Sequence, residues 1–242
     1  MLKMIKITGR HFSLAVAKCY GQTSSLSIAR EVEVAIFSLN HKPISKSKHP
    51  AGRTGSHVRY ISRSGASPVI LTNGISKDWR EAKAWFDDQE QTDRKNARIA
   101  DRVMVALPRE LNHIERAKLI QDYLAELTGN QIPWYVAIHQ EGPDQNNPHA
   151  HILIRDRSLS DGRRIVKTSE RGSTTLLREK WAERANIALQ EAGINETIDH
   201  RSYAEQGIEK EPSKHLGPEQ KKWRYRLRKE NGRKNDVPRA YL

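Results

Sequence analysis

The sequence predicts an α+β fold in which a central antiparallel sheet is flanked by helices. Three observations predict it. Trp134-Tyr-Val-Ala-Ile-His139 and Pro148-His-Ala-His-Ile-Leu-Ile154 are rich in β-branched and aromatic residues, and the polar, turn-forming stretch between them is short enough for a hairpin. Arg102-Val-Met-Val-Ala-Leu-Pro108 reads as a further buried strand, ended by its proline. Segments of helical periodicity surround these runs, and the order strand, helix, strand, strand, helix suits a sandwich with an antiparallel centre.

Residues 1–30 show no clear periodicity and contain the polar stretch Gly21-Gln-Thr-Ser-Ser25, so they form an N-terminal extension. The core domain is expected over 31–217, with a basic tail over 218–242. Glu31-Val-Glu-Val-Ala-Ile-Phe-Ser-Leu39 alternates and then runs apolar, as a first strand would. A loop rich in Lys, Pro, Gly and Ser follows to Ser56. His57-Val-Arg-Tyr-Ile-Ser-Arg63 is a short helix with Val58 and Ile61 facing a core and Tyr60 off that stripe. The interval from Ser76 to Ala97 is polar and helical, with Trp79 and Trp85 as packing points. Asn112 caps the next helix, and Ile114, Ala117, Leu119, Ile120, Tyr123, Leu124 and Leu127 form its apolar face before Gly129 stops it. Asp161-Gly162 marks a tight turn, and a last helix runs from about Thr175 to Glu191 and closes at Gly193. The chain contains no internal repeat and no low-complexity tract.

At 242 residues with 36% hydrophobic content, the chain can bury one good-sized core. No apolar stretch approaches the roughly 20 residues that a bilayer span requires. The basic start before Phe12 to Ala17 imitates a signal peptide only faintly, so membrane insertion is not expected and a cytoplasmic location is. One cysteine, Cys19, excludes an internal disulfide. The 42 basic and 29 acidic side chains give a formal charge of +13, which points to a polyanionic partner, nucleic acid first. A merely solvated basic surface is the bland alternative. The charge clusters at Arg53 to Arg63, at Arg155 to Arg171 (with Arg163 and Arg164), and in the tail around Lys221, Lys222, Arg224 and Arg226, where aromatics interleave with cations. Stacking plus phosphate neutralisation holds single strands in this way. The same tail is equally an exposed helix with its stems packed down.

The histidines carry the most chemistry. Side chains alternate along a strand, so His149 and His151 project from one face roughly 7 Å apart and can converge with His139 on one ion. Three neutral imidazoles leave positions open for substrate oxygens, as catalytic rather than structural metal sites do. Histidines lining a wet sheet face without metal are the alternative. An open site on a basic protein suggests metal-assisted chemistry at a phosphodiester, where an ion stabilises the charge developing in the transition state. The attacking group is water or a protein hydroxyl. Tyr60, among Arg53, Arg59 and Arg63, stands where cations favour a phenolate and attract phosphate. An ordinary packed tyrosine fits the same spacing.

His139 followed by Asn147-Pro-His-Ala-His-Ile-Leu153 resembles the third motif of HUH single-strand endonucleases, and specifically the MobA/MobL family of conjugative relaxases. Ala106-Leu-Pro-Arg-Glu-Leu111, Trp181 through Asn186 to Ala188, Ile198-Asp-His-Arg-Ser202, Gln206-Gly-Ile208 and His215-Leu-Gly-Pro218 resemble family blocks in the family's order, over roughly residues 31 to 218. The resemblance implies a sequence-specific nick at a plasmid transfer origin, in which a tyrosine of the early motif attacks the phosphate and stays joined to the DNA 5′ end. Tyr60 occupies that position. The resemblance also implies that His139, His149 and His151 hold Mg²⁺ or Mn²⁺, with Zn²⁺ also compatible with imidazole ligands. It implies single-stranded DNA, auxiliary mobilisation proteins and a coupling protein as partners. Family members carry acidic residues near the strand before Ala-Leu-Pro, where this chain offers Asp101 and Glu110; Glu110 serves equally as a helix N-terminal charge. Residues 1–30 precede the usual family start, and helicase, primase or mobilisation activities would come from partners or a further part of the chain.

Other readings stay open. A rolling-circle replication or transposition initiator shares the metal and tyrosine arrangement. A non-catalytic DNA-binding accessory protein would keep the fold without turnover, and a metal-dependent nuclease would use water in place of Tyr60.

Overall fold

The computed structural model describes residues 37–66, 68–140 and 146–209. The expected extension over 1–30, the tail over 218–242 and the block at His215 lie outside the described residues.

Five strands form one antiparallel sheet in the spatial order β1-β3-β5-β4-β2. They are β1 (Leu39–Ser45), β2 (Val69–Asn73), β3 (Arg98–Ala106), β4 (Trp134–His139) and β5 (His149–Ile154), and the helices are α1 (Arg53–Ile61), α2 (Trp79–Thr92), α3 (His113–Thr128) and α4 (Ser173–Glu191). The β4–β5 hairpin occupies the middle of the sheet and is covered on both faces. On one face Ile44, Ala100, Tyr135, Ala137 and Leu153 pack against Val58 and Ile61 of α1 and Ala82 and Phe86 of α2. On the other, Val103, Val105, Val136, Ile138, Ile152 and Ile154 meet Ile120, Tyr123 and Leu124 of α3 and Leu177, Trp181 and Leu189 of α4. Two-sided burial is why all six residues of β4 are buried.

The hairpin and α3 follow the sequence expectation closely. Asn112 caps α3 by accepting from the Ile114 and Glu115 amides while the Glu115 carboxylate accepts from the Asn112 amide, and Gly129 ends it at φ 56°. Ile114, expected on the apolar face, is 82% exposed because it lies in the first turn, beyond the reach of the sheet.

Two strands differ from expectation. The first strand is Leu39–Ser45, not Glu31–Leu39; Phe37 and Ser38 precede it without strand structure, and 31–36 lie outside the described residues. Its Pro43 had marked this stretch as loop, but β1 is an edge strand paired only with β3, where a missing N–H is tolerated. The other edge, β2, was not anticipated; five residues beside a proline are too short to show a period. Helix α1 starts at Arg53, four residues before His57, because Gly52 at φ 72° begins it without a side-chain cap and so leaves no capping signal.

Candidate metal centre and active site

The hairpin register sets His139 directly opposite His149, and His151 lies two residues along the same strand on the same face. The three rings sit 4.9–5.1 Å apart between centroids, and one nitrogen from each lies within 4.8 Å of the others. Neighbouring hydrogen bonds select the nitrogens. Nε2 of His139 donates to the Ile61 carbonyl at 2.7 Å, which leaves Nδ1 with its lone pair. Nδ1 of His149 donates to the Asn147 carbonyl at 2.8 Å, which leaves Nε2. Such outer partners fix the tautomer and aim of metal-binding imidazoles. Burial, then the charges of His149, His139, His57 and Arg102, pushes the His151 pKa from 6.5 down to about 3, so its ring stays neutral with a lone pair to offer. The donor set therefore fits a divalent ion.

Helix α1 lies over this part of the sheet, anchored by Val58 and Ile61, both fully buried. The two anchors point His57 inward and leave Tyr60 57% exposed. His57 spans the gap between the chemistry-bearing groups: its ring stacks on Tyr60 at 6.2 Å and meets His151 edge to face at 6.0 Å. Burial, then the charges of Arg102 and Arg53, lowers the His57 pKa to about 4. Arg63 lies over the Tyr60 ring at 4.6 Å and donates to the Tyr60 carbonyl at 3.1 Å. Arg59 is placed over Trp79 at 5.9 Å.

The model of the MobA/MobL family matches residues 44–226. The chain belongs to the MobA/MobL family. Mobilization protein A of Escherichia coli is 33% identical over 215 residues, which cover 76% of this chain and 30% of that protein. Mobilization protein MobL of Acidithiobacillus ferridurans is 30% identical over 264 residues, covering 86% of this chain and 69% of the relative. The chain thus spans under a third of the E. coli protein's length. A solved structure described as the molecular basis of vancomycin resistance transfer in Staphylococcus aureus shares the fold at a TM-score of 0.55 and 18% identity, covering 70% of this chain and all of that one.

Within this MobA/MobL chain, the structure brings together His139, His149 and His151; Tyr60 stands one ring away across His57, with Arg63 over it and the charge of Arg53 acting on His57. Asp101 goes elsewhere. In the β3–β5 register Arg102 pairs with Leu153 and shares the histidine face, so Asp101 points through to the other side. There it is 1% exposed, accepting from Thr168 at 2.6 Å and from Arg98, and bonded to His41 at 2.9 Å. Burial alone would raise its carboxyl; the bonds from His41, Arg98 and Thr168 hold it below its ordinary value. It is a lock between strand and loop, a correction to its expected catalytic place. Glu110 stands exposed on the turn before α3, in the field of Arg116. Arg163 and Arg164 sit in the loop after β5, whose backbone amides at Ile165, Val166 and Thr168 are gathered by the Asp156 carboxylate. That is the far end of β5 from His149. Lys221, Lys222, Arg224 and Arg226 lie outside the described residues.

Two residues of the site were not singled out from sequence. His57 precedes Tyr60 by one helical turn, a spacing that puts them on one side of α1 and was the available signal. Arg102 read as part of a buried strand, and only the register shows that it faces the histidines.

Proposed function

We propose that this chain is the relaxase region of a plasmid mobilisation protein, a site-specific DNA strand transferase that nicks single-stranded DNA at a transfer origin. The observation that carries the reading is the chain of contacts from the three converging histidines through His57 to the exposed Tyr60. Membership of the MobA/MobL family and relatives named as mobilization proteins support it.

Tyr60 supplies the nucleophile. Its phenolic oxygen, having given its proton to surrounding water, attacks the scissile phosphorus; the bond to phosphorus forms as that to the 3′ oxygen breaks, and the leaving oxygen takes up a proton. The products are a 5′-phosphotyrosine and a free 3′-OH, whose return attack rejoins the strand. His139, His149 and His151 hold a divalent ion, Mn²⁺ or Mg²⁺, with imidazole donors favouring Mn²⁺ over the harder Mg²⁺ and admitting Zn²⁺. When bound, the ion polarises a phosphoryl oxygen and stabilises the charge that develops there. Arg53, Arg59 and Arg63 draw the backbone phosphates to α1, and Arg163, Arg164 and the tail cations at Lys221, Lys222, Arg224 and Arg226 contact DNA farther away. Auxiliary mobilisation proteins and a coupling protein act with it in the cytoplasm; no helix among the described residues is long and apolar enough to cross a membrane.

The test is to incubate the protein with single-stranded fragments tiling the DNA around its own gene, with Mg²⁺ or Mn²⁺, and to resolve the products on a denaturing gel. A covalent adduct lost in Tyr60→Phe, on a fragment that functions as a transfer origin, is the expected result. Cleavage without adduct points to water as nucleophile, an adduct confined to a replication origin points to a replication initiator, and binding alone points to an accessory protein.

A further inference from the structure

The three histidines differ in their outer partners. His139 and His149 each donate one ring nitrogen to a backbone carbonyl, whereas Nδ1 of His151 is buried with no hydrogen-bond partner. A buried polar atom left unpaired costs about 1–3 kcal/mol, so such atoms call for an explanation. A second buried ring nitrogen without a partner lies beside it: Nε2 of His57, on a side chain 9% exposed. The two rings meet edge to face at 6.0 Å between centroids, a separation that small side-chain rotations close to hydrogen-bond length.

We infer that His57 is the positioning residue for His151, its Nε2 accepting from Nδ1–H of His151 and so directing Nε2 of His151 to the ion. This rests on reading the three histidines as a metal site. Each ligand then has an outer partner, and two of the three partners belong to α1: Ile61 for His139 and His57 for His151. Tyr60 lies between them in sequence. The helix that carries the nucleophile is thereby registered to the ion at two points, and the metal site is completed by the element that must be correctly placed for attack. His57 acts through His151 and touches neither ion nor substrate.

The test measures metal affinity without DNA. Mn²⁺ is titrated calorimetrically into chelator-stripped wild type, His57→Phe, which keeps a ring but no nitrogen, and His57→Gln, which keeps a polar group of similar reach; circular dichroism checks that each is folded. The expected result is an affinity about 10- to 100-fold weaker in His57→Phe, the usual effect of losing an outer partner, with most of the loss recovered in His57→Gln. Equal affinity in wild type and His57→Phe overturns the inference, as does an equal loss in both variants, which would mark ring packing as the cause. A wild type that binds no Mn²⁺ overturns the metal reading itself and this inference with it. Should His57→Phe not fold, nitrogen NMR of the wild-type rings decides: protonation of His151 at Nδ1 supports the inference and protonation at Nε2 overturns it.

Discussion

Nε2 of His139 donates a 2.7 Å hydrogen bond to the carbonyl of Ile61, the residue immediately after Tyr60. A strand in the middle of the sheet is thus tied to the last turn of the helix that carries the tyrosine. Ordering His139 therefore orders the end of α1, and the first prediction follows. Loading with Mn²⁺ slows amide hydrogen exchange in α1 and leaves unchanged those amides of α3, on the other face, that exchange by local opening. His139→Ala removes the effect; equal protection of α1 in both proteins would contradict the coupling.

Metal binding also reports on the triad directly. At about 100 times its dissociation constant, a ligand stabilises the folded state by about 2.7 kcal/mol. Thermal unfolding of wild type is expected to shift upward with Mn²⁺, and His149→Ala is expected to lose that shift while retaining the fold, since His149 is only half-buried.

Acid lowers the stability of the metal-free protein through His57 and His151, whose folded-state pKa values fall from 6.5 to about 4 and about 3. Above pH 6.5 both rings are neutral folded or unfolded and contribute no pH dependence. As pH falls through 6.5, the unfolded chain binds protons that the folded chain refuses until about 4 and 3, so stability drops across that window. Urea denaturation at a series of pH values checks it, and His57→Phe should flatten the upper part of the curve.

Asp101→Ala is expected to destabilise the protein by about 3–5 kcal/mol, because it removes the buried carboxylate and leaves the partly buried His41 and Arg98 without their partner. Adduct formed per folded molecule should be unchanged, since Asp101 faces away from the histidines. A selective loss of adduct at full stability would restore a catalytic role.

The basic residues divide by distance. Arg163 lies beyond Arg155, itself six residues past His149 in sequence, roughly 20 Å along an extended strand. Replacing Arg59 and Arg63 by alanine should weaken binding of a short single-stranded oligonucleotide centred on the nick and lower its salt slope by roughly 1.4, or 0.7 for each phosphate that is no longer neutralised. Replacing Arg163 and Arg164 should affect only longer DNA. Identical effects of both pairs on the short oligonucleotide would refute the division.

Much of this was legible from residues close in sequence. The hairpin showed itself because β-branched runs flank a short polar turn, and the ends of α3 because Asn112 stands just before its apolar periodic run and Gly129 just after it. The alternation of His149 and His151 sets them on one face whatever the neighbouring strands do. Other features had no local signature: β1 contains a proline, β2 is only five residues long, and α1 begins at a glycine.

The sequence by itself determined the antiparallel hairpin, the shared face of its histidines and the place of Tyr60 off the apolar stripe of its helix, because strand and helix periods are local properties of the chain. Tertiary structure decided which face Asp101 and Arg102 take and which group fills the space between Tyr60 and His151. Those outcomes depend on the register of β3 against β5 and the seating of α1 on the sheet, set by packing between segments some fifty to ninety residues apart. Shifting that register by one residue would exchange Asp101 and Arg102 between lock and site, a difference that neither residue's neighbours in sequence encode.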